Sequence, residues 1–259
     1  MQRAFYGKRI LITGSEGLFG RELANAFYRE GAALTLLDRN PPDQDSDIHA
    51  SAHTSRITVD LNDSHALTAH IDAIPDALLP DVVINNAAIF PFADVLDVDI
   101  EQCRQIMAVN LFAPLLITQR IAKRWIARES AGVVVNVSSA SAEVARTNGA
   151  IYGPSKAALE QLTRILAIRL GRENIRVNAV RPGIADDPRH PTLPEAHMRT
   201  IASAVPMGRT VAPGELARAV MFLSSEQSSF TTGQVLSVDG GGGLNRRAPV
   251  VEGAPSSPT

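Results

Sequence analysis

Cysteine is almost missing from this chain: Cys103 is the only one in 259 residues. No intramolecular disulfide can form, and a cysteine-built metal site lacks ligands, so Cys103 reads as a small apolar residue on a helix. Long runs of one charge are absent too. Lys plus Arg number 25 and Asp plus Glu 27, a formal net charge of −2, which leaves no electrostatic footprint for nucleic acid or an anionic membrane. No apolar stretch is expected to approach the ~20 residues of a membrane span. The opening Met1-Gln2-Arg3-Ala4-Phe5 runs into a strand pattern by Arg9 with no room for a signal peptide. The expectation is a cytoplasmic, reduced setting, where the sequon-like Asn62-Asp63-Ser64 and Asn136-Val137-Ser138 carry no glycan.

What is present is an alternation of short β-branched apolar runs with longer helix-period segments, the pattern of a parallel sheet covered on both faces. Strands are predicted at Arg9–Thr13, Ala33–Leu37, Arg56–Val59, Asp81–Asn85, Gly132–Val137, Ile175–Val180 and Gln234–Val238. Helices are predicted near Leu18–Glu30, Ser64–Ile74, Ile100–Arg128, Ile151–Gly171 and Pro213–Ser224. The expected fold is α/β, a Rossmann-like doubly wound parallel sheet of about seven strands with helices on both faces, in one domain over residues 1–244. Asn40–Ser55, rich in Pro, Asp and Ser, is expected to be mostly loop. The stretch 185–207 is expected to be a substrate flap, and 245–259, rich in Pro, Gly and Ser, a flexible tail.

The first predicted strand runs into Thr13-Gly14-Ser15-Glu16-Gly17-Leu18-Phe19-Gly20 and then a helix. Glycines at a strand-to-helix turn let the backbone approach a pyrophosphate, and the helix N-terminus turns its free N–H groups toward that charge. Asp38 closes the second strand about twenty residues on, where an acidic side chain can accept the ribose hydroxyls and repel the 2′-phosphate of NADP. Glu16 adds to that repulsion, while Arg39 can stack on adenine or neutralise a phosphate. NAD is therefore expected over NADP. A solvated strand-end aspartate is the alternative for Asp38.

With these and several further motifs in order, the chain resembles the short-chain dehydrogenase/reductase family in its compact form, from about Gly7 to Leu244. The motifs are Asp60-Leu61, Asn85-Asn86-Ala87-Ala88, Asn110 in Ala108-Val109-Asn110-Leu111, and Asn136-Val137-Ser138-Ser139. They continue with Tyr152-Gly153-Pro154-Ser155-Lys156, Arg181-Pro182-Gly183 and Val238-Asp239-Gly240-Gly241. Four positions depart from the family pattern. Gly17 stands one residue early with Leu18 in the usual glycine slot, a spacing like that of epimerase-type relatives. Ala88 and Ala142 replace glycines, and Ala185-Asp186-Asp187 lacks the threonine that often follows Pro-Gly-Ile.

The resemblance implies a dinucleotide held by Gly14, Ser15, Gly17, Leu18, Phe19, Gly20, Asp38, Arg39, Asp60, Leu61, Asn86, Ala87, Ala88, Tyr152, Lys156, Pro182, Gly183 and Ile184, with the Ile184 backbone taking the carboxamide. It implies hydride transfer between NAD(H) and a secondary alcohol or ketone carbon. Tyr152 is then the acid/base. A free phenol titrates near ~10, too high for a base at neutral pH. Lys156, one helical turn further on the same face, favours the phenolate and holds the nicotinamide ribose. Ser139 bonds the substrate oxygen, and Asn110 holds a water that links Lys156 to solvent; a structural kink is the alternative for Asn110.

No metal site is expected, since the spacing of Asp186, Asp187, His190 and His197 fits no metal motif. Arg189 and Arg199 in the flap suggest a polar or anionic substrate such as a sugar, polyol or hydroxy acid. Leu111, Leu115, Leu116 and Trp125 on one long helix and Leu159, Leu162, Ile165 and Leu166 on the other spread apolar surface over more than one face. With the resemblance, this implies a homotetramer or homodimer. Two other functions stay open. One is a dinucleotide-binding sensor or scaffold without turnover. The other is a sugar-nucleotide epimerase or dehydratase, hinted at by the glycine spacing and opposed by the short chain.

Overall fold

A computed structural model describes residues 3–41, 53–91, 93–145, 149–185 and 195–244. Asp186, Asp187, Arg189, His190, most of the expected Asn40–Ser55 loop and the tail lie outside the described residues.

Seven strands form one sheet: β1 (Arg9–Thr13), β2 (Ala33–Asp38), β3 (Thr54–Thr58), β4 (Val82–Asn85), β5 (Gly132–Val137), β6 (Ile175–Pro182) and β7 (Val235–Val238). Their order is β3-β2-β1-β4-β5-β6-β7, and every neighbouring pair is parallel. The helices are α1 (Leu18–Arg29), α2 (Ser64–Asp72), α3 (Ile100–Met107), α4 (Ala113–Ala127), α5 (Tyr152–Leu170), α6 (Glu195–Ala204) and α7 (Glu215–Ser224).

The two-residue period of the strands divides the core. Leu11, Val83 and Val134 face one layer with Ile71, Ile117, Ile121, Trp125 and Leu170 from α2, α4 and α5. Their neighbours Ile10, Ile12, Val82, Ile84, Val135 and Val137 face the other, with Leu23 and Phe27 of α1 and Leu216, Val220 and Leu223 of α7. Both faces are covered, which is why these strands are almost continuously apolar. Helix starts follow the local chemistry: Asp63 accepts from the N–H groups of His65 and Ala66 to begin α2, and Asp99 from Glu101 and Gln102 to begin α3.

Four features go beyond or differ from the sequence reading. The long helix is not uniform, because Ala108–Phe112 between α3 and α4 is π-helical. Pro114, in the first turn of α4, has no N–H to return to the Asn110 carbonyl, and the wider turn relieves that mismatch. Together Ile100–Ala127 is 28 residues, long and apolar enough by length and composition to cross a bilayer, contrary to the expectation drawn from the sequence. Half of its most apolar window is buried inside this fold, with Ile117, Ile121 and Trp125 against the sheet, so it serves as a core helix. Trp125 thus belongs to the core: it is 1% exposed and donates to the Pro80 carbonyl at 2.7 Å. Finally, the stretch expected to be a flap contains α6, a helix the prolines upstream obscured.

Candidate active site

The strand order reverses between β1 and β4, and the crevice at their carboxyl ends is where open parallel sheets bind ligands. Gly14 leaves β1 at φ +66°, and an added Cβ there would meet Ala87 Cα at 2.7 Å. Gly20 lies tighter still, its Cβ position 1.9 Å from the Gly14 carbonyl oxygen, so the first turn of α1 packs directly under the loop. Gly17 is the N-cap of α1 with no side-chain cap bond, which leaves the first-turn N–H groups available to an anion. Asn86 locks the loop in place: its side-chain amide donates to the carbonyls of Thr13 and Gly14, both at 3.0 Å.

A cleft of about 440 Å³ opens over this loop, lined by Gly14, Gly17, Leu18, Phe19, Asp38, Arg39, Asp60, Leu61, Asn86, Ala87 and Ala88. These are eleven of the residues implied by the resemblance. Ser15 and Gly20 are buried behind the turn and Pro182 within β6. The cleft fits an elongated nucleotide: a cradle only glycine can form, a helix N-terminus, and an acidic strand end.

Asp38 accepts the Glu16 N–H through Oδ2 and the Asn40 N–H through Oδ1, both at 2.9 Å, fixing its carboxylate at the rim. Glu16 corrects the sequence reading. Its carboxylate is buried and takes the Arg56 guanidinium at 2.7 Å, so its charge is neutralised by β3 instead of reinforcing Asp38.

A second cavity, about 880 Å³, lies beyond Gly183 and Ile184 and is walled by the Ala140–Ala145 segment, Ile201, Ala204 and Val205 of and after α6, and Asp239. The catalytic candidates stand between the two cavities. Ser139 adjoins Ala140 of the second, and the Tyr152 ring lies 5.8 Å from Phe90 of the first. The start of α5 presses against the turn after Ser139, since a Cβ on Gly153 would come within 2.7 Å of the Ser141 carbonyl oxygen.

Lys156 is 2% exposed, and its Nζ donates to the Val137 carbonyl at 2.7 Å. Burial alone pushes its ammonium down to about 8. Asn110 is wholly buried within the π turn. Its Oδ1 accepts the Ile89 N–H at 2.9 Å, while Nδ2 donates to the Ile89 carbonyl and to Ser155 Oγ. The structural kink read as the alternative for Asn110 corresponds to this π turn.

A buried ion pair beneath the site went unread. Arg181 donates to both oxygens of Glu160, Ser138 Oγ donates to Glu160 Oε1 at 2.7 Å, and Arg181 also pairs with Glu143 at 2.6 Å. The signal was in the spacing: Tyr152, Lys156 and Glu160 follow at four-residue intervals on one face of α5.

Comparison with known proteins agrees with this geometry. A family model described as enoyl-(acyl carrier protein) reductase matches residues 16–242. L-xylulose reductase of Homo sapiens is 32% identical over 243 residues, 93% of this chain and 98% of that protein. Among solved structures, a short chain dehydrogenase from Leptospira borgpetersenii with bound NAD+ superposes with a TM-score of 0.85 at 28% identity, covering 93% of this chain and 94% of that one. A gluconate 5-dehydrogenase from Burkholderia cenocepacia in complex with NADP and tartrate gives 0.83 at 29%, covering 93% and 97%. The chain belongs to the short-chain dehydrogenase/reductase family. It is an oxidoreductase that acts on secondary alcohol or ketone carbons with a nicotinamide cofactor.

Proposed function

We propose that the protein is an NAD-preferring dehydrogenase/reductase with Tyr152 as the acid/base, and the observation that carries the assignment is the buried Lys156 one turn beyond it. An ammonium bonded to a backbone carbonyl and not to a carboxylate is costly to bury, and here it lies on the face of α5 that carries the tyrosine. Its positive charge favours the phenolate of Tyr152 and so brings the phenol toward neutral-pH chemistry.

The nicotinamide, when bound, supplies the hydride acceptor or donor. In reduction Tyr152 gives its phenolic proton to the carbonyl oxygen; in oxidation it takes the hydroxyl proton. Ser139 Oγ donates to the same oxygen and orients it. Lys156 would hold the nicotinamide ribose, and the backbone at Gly183 and Ile184 lies at the junction of the two cavities, suited to the carboxamide. Asn110 fixes Ile89 and Ser155; with both amide hydrogens engaged, its hold on a relay water rests on the second lone pair of Oδ1.

Preference for NAD is supported by Asp38, whose carboxylate lines the cleft at the end of β2 and would repel a 2′-phosphate. The comparison structures carry both NAD+ and NADP, so this feature of the chain itself supports the choice. A homodimer or homotetramer is supported by Phe112, Ile165 and Ile168, which remain about half or more exposed beside the helices that cover the sheet. A cytoplasmic setting is supported by the lone cysteine.

The test is a titration of purified protein with NADH and NADPH followed by an alcohol and ketone panel. Tighter NADH binding, with turnover lost in Tyr152→Phe while binding persists, is expected. Equal turnover by Tyr152→Phe would overturn the assignment of the acid/base.

A further inference from the structure

The charges around the second cavity are unevenly matched. Arg209, on its wall, is engaged by both oxygens of Glu215 at 2.9 and 2.7 Å. Arg181, just below it, is engaged by both oxygens of Glu160 and by Glu143. Every cation that lines or underlies this cavity among the described residues thus already faces carboxylate.

The same wall carries two acids. Asp239 accepts from the N–H groups of Gly241 and Gly243. Glu143 is 53% exposed, and Arg181 holds only its Oε2; Oε1 has no hydrogen bond to a described residue. Because Arg181 is buried and locked to α5, it fixes the Glu143 carboxylate in place instead of following it. Among the described residues the wall is net negative, and it presents an anchored, unfilled acceptor four residues beyond Ser139.

We propose that Glu143 is a specificity-determining residue that accepts a hydroxyl of an uncharged polyhydroxy alcohol or ketose, and that the same carboxylate excludes hydroxy acids. This rests on the reading of the protein as an alcohol/ketone oxidoreductase and narrows its substrate class. A substrate hydroxyl next to the reacting carbon would donate to Oε1, a charge-assisted bond stronger than one to a neutral acceptor. A substrate carboxylate there would meet like charge, with no uncommitted cation lining the cavity among the described residues to offset it. The charges of the described residues thus favour a neutral substrate over an anionic one; Arg199 is exposed on α6 and does not line the cavity, and Arg189 lies outside the described residues.

The experiment uses pairs that share a carbon skeleton: glycerol and glycerate, xylitol and xylonate, glucitol and gluconate. Cyclohexanol and 2-butanol report the basic reaction without extra hydroxyls. The wild type is expected to prefer the neutral member of its best pair by about tenfold or more in kcat/KM, the scale of one charge-assisted hydrogen bond. Glu143→Gln should lower kcat/KM for the polyol and raise it for the acid, shrinking the ratio by about tenfold, because the amide keeps the shape and loses the charge. Binding of each pair to the protein–NADH complex, followed by NADH fluorescence, should show the same reversal without turnover.

An acid turned over as well as its polyol, a ratio unmoved by Glu143→Gln, or turnover confined to the simple alcohols would each overturn the proposal while leaving the oxidoreductase reading intact. Absence of turnover on every compound, the simple alcohols included, would instead overturn the reading beneath it.

Discussion

Arg181 and Glu160 face each other between β6 and α5, with Nε and Nη2 of the guanidinium donating to separate carboxylate oxygens at 2.9 and 2.7 Å. Both side chains are under a tenth exposed. The carboxylate holds Arg181 above the ordinary arginine range, chiefly through that hydrogen bond. The pair joins the strand that ends at Pro182 to the helix that begins at Tyr152, and Ser138 ties in the strand that ends before Ser139.

Removing one partner should therefore cost far more than removing both. Arg181→Met leaves a buried carboxylate without its cation and is expected to lose about 3–5 kcal/mol in urea titrations. The double variant Glu160→Met/Arg181→Met should recover most of that loss. Equal losses in the single and double variants would show that packing, not the pair, is at stake.

The glycine loop separates two substitutions that look alike in sequence. Gly20→Ala drives a methyl into the Gly14 carbonyl and should lower stability by about 1–3 kcal/mol or more even without nucleotide. Gly17 has an ordinary φ of −72°, and its Cβ position is 3.4 Å from the same oxygen, so Gly17→Ala should fold as well as the wild type. Thermal melts of both variants decide the matter.

Asp38→Ala should weaken NADH binding and relax discrimination against NADPH by about tenfold, the scale of one lost interaction of about 1.4 kcal/mol. Glu16→Gln should change the ratio less, since Arg56 already neutralises that carboxylate. A larger effect at Glu16 than at Asp38 would reverse the assignment of the discriminating charge.

Lys156 carries a pH signature. Its folded-state value, about 8, lies below the 10.5 of an unburied lysine, so between those limits the unfolded chain binds more protons than the folded one. The burial penalty is complete below pH 8 and is relieved as pH rises toward 10.5. Lys156→Met removes the group; relative to this variant, the wild type should gain about 1.4 kcal/mol per pH unit through that window. Denaturation of both proteins between pH 7 and 10 measures it, and parallel profiles would contradict it. The same variant should lack turnover at every pH.

The sheet could be read from the sequence because a parallel strand covered on both faces must be apolar at nearly every position, and Leu11, Val83 and Val134 with their neighbours are. The candidate catalytic residues Ser139, Tyr152 and Lys156 could be proposed because they follow a strand end and open a helix in a fixed order. Less local features escaped. The Glu16–Arg56 and Glu160–Arg181 pairs join residues 40 and 21 positions apart, and nothing in a linear pattern says which acid meets which base. α6 escaped because four prolines over 185–207 mask a ten-residue helix. The π turn showed only as an alternative reading, a kink at Asn110, because a wider turn leaves the surrounding helical periodicity nearly intact on either side.

That turn has a consequence for how the chain can vary. A residue accommodated in a π turn offsets the two flanking helices by about 100° relative to a continuous α-helix. Deleting one residue from Ala108–Phe112 would leave a perfectly acceptable helix by propensity. It would nevertheless swing Ile106 out of the interior, or Ile117, Ile121 and Trp125 away from the sheet, and Asn110 would face neither Ile89 nor Ser155. Length in this segment is therefore under tighter constraint than composition: homologues can exchange its apolar residues, but a one-residue gap there marks a protein whose site is assembled differently.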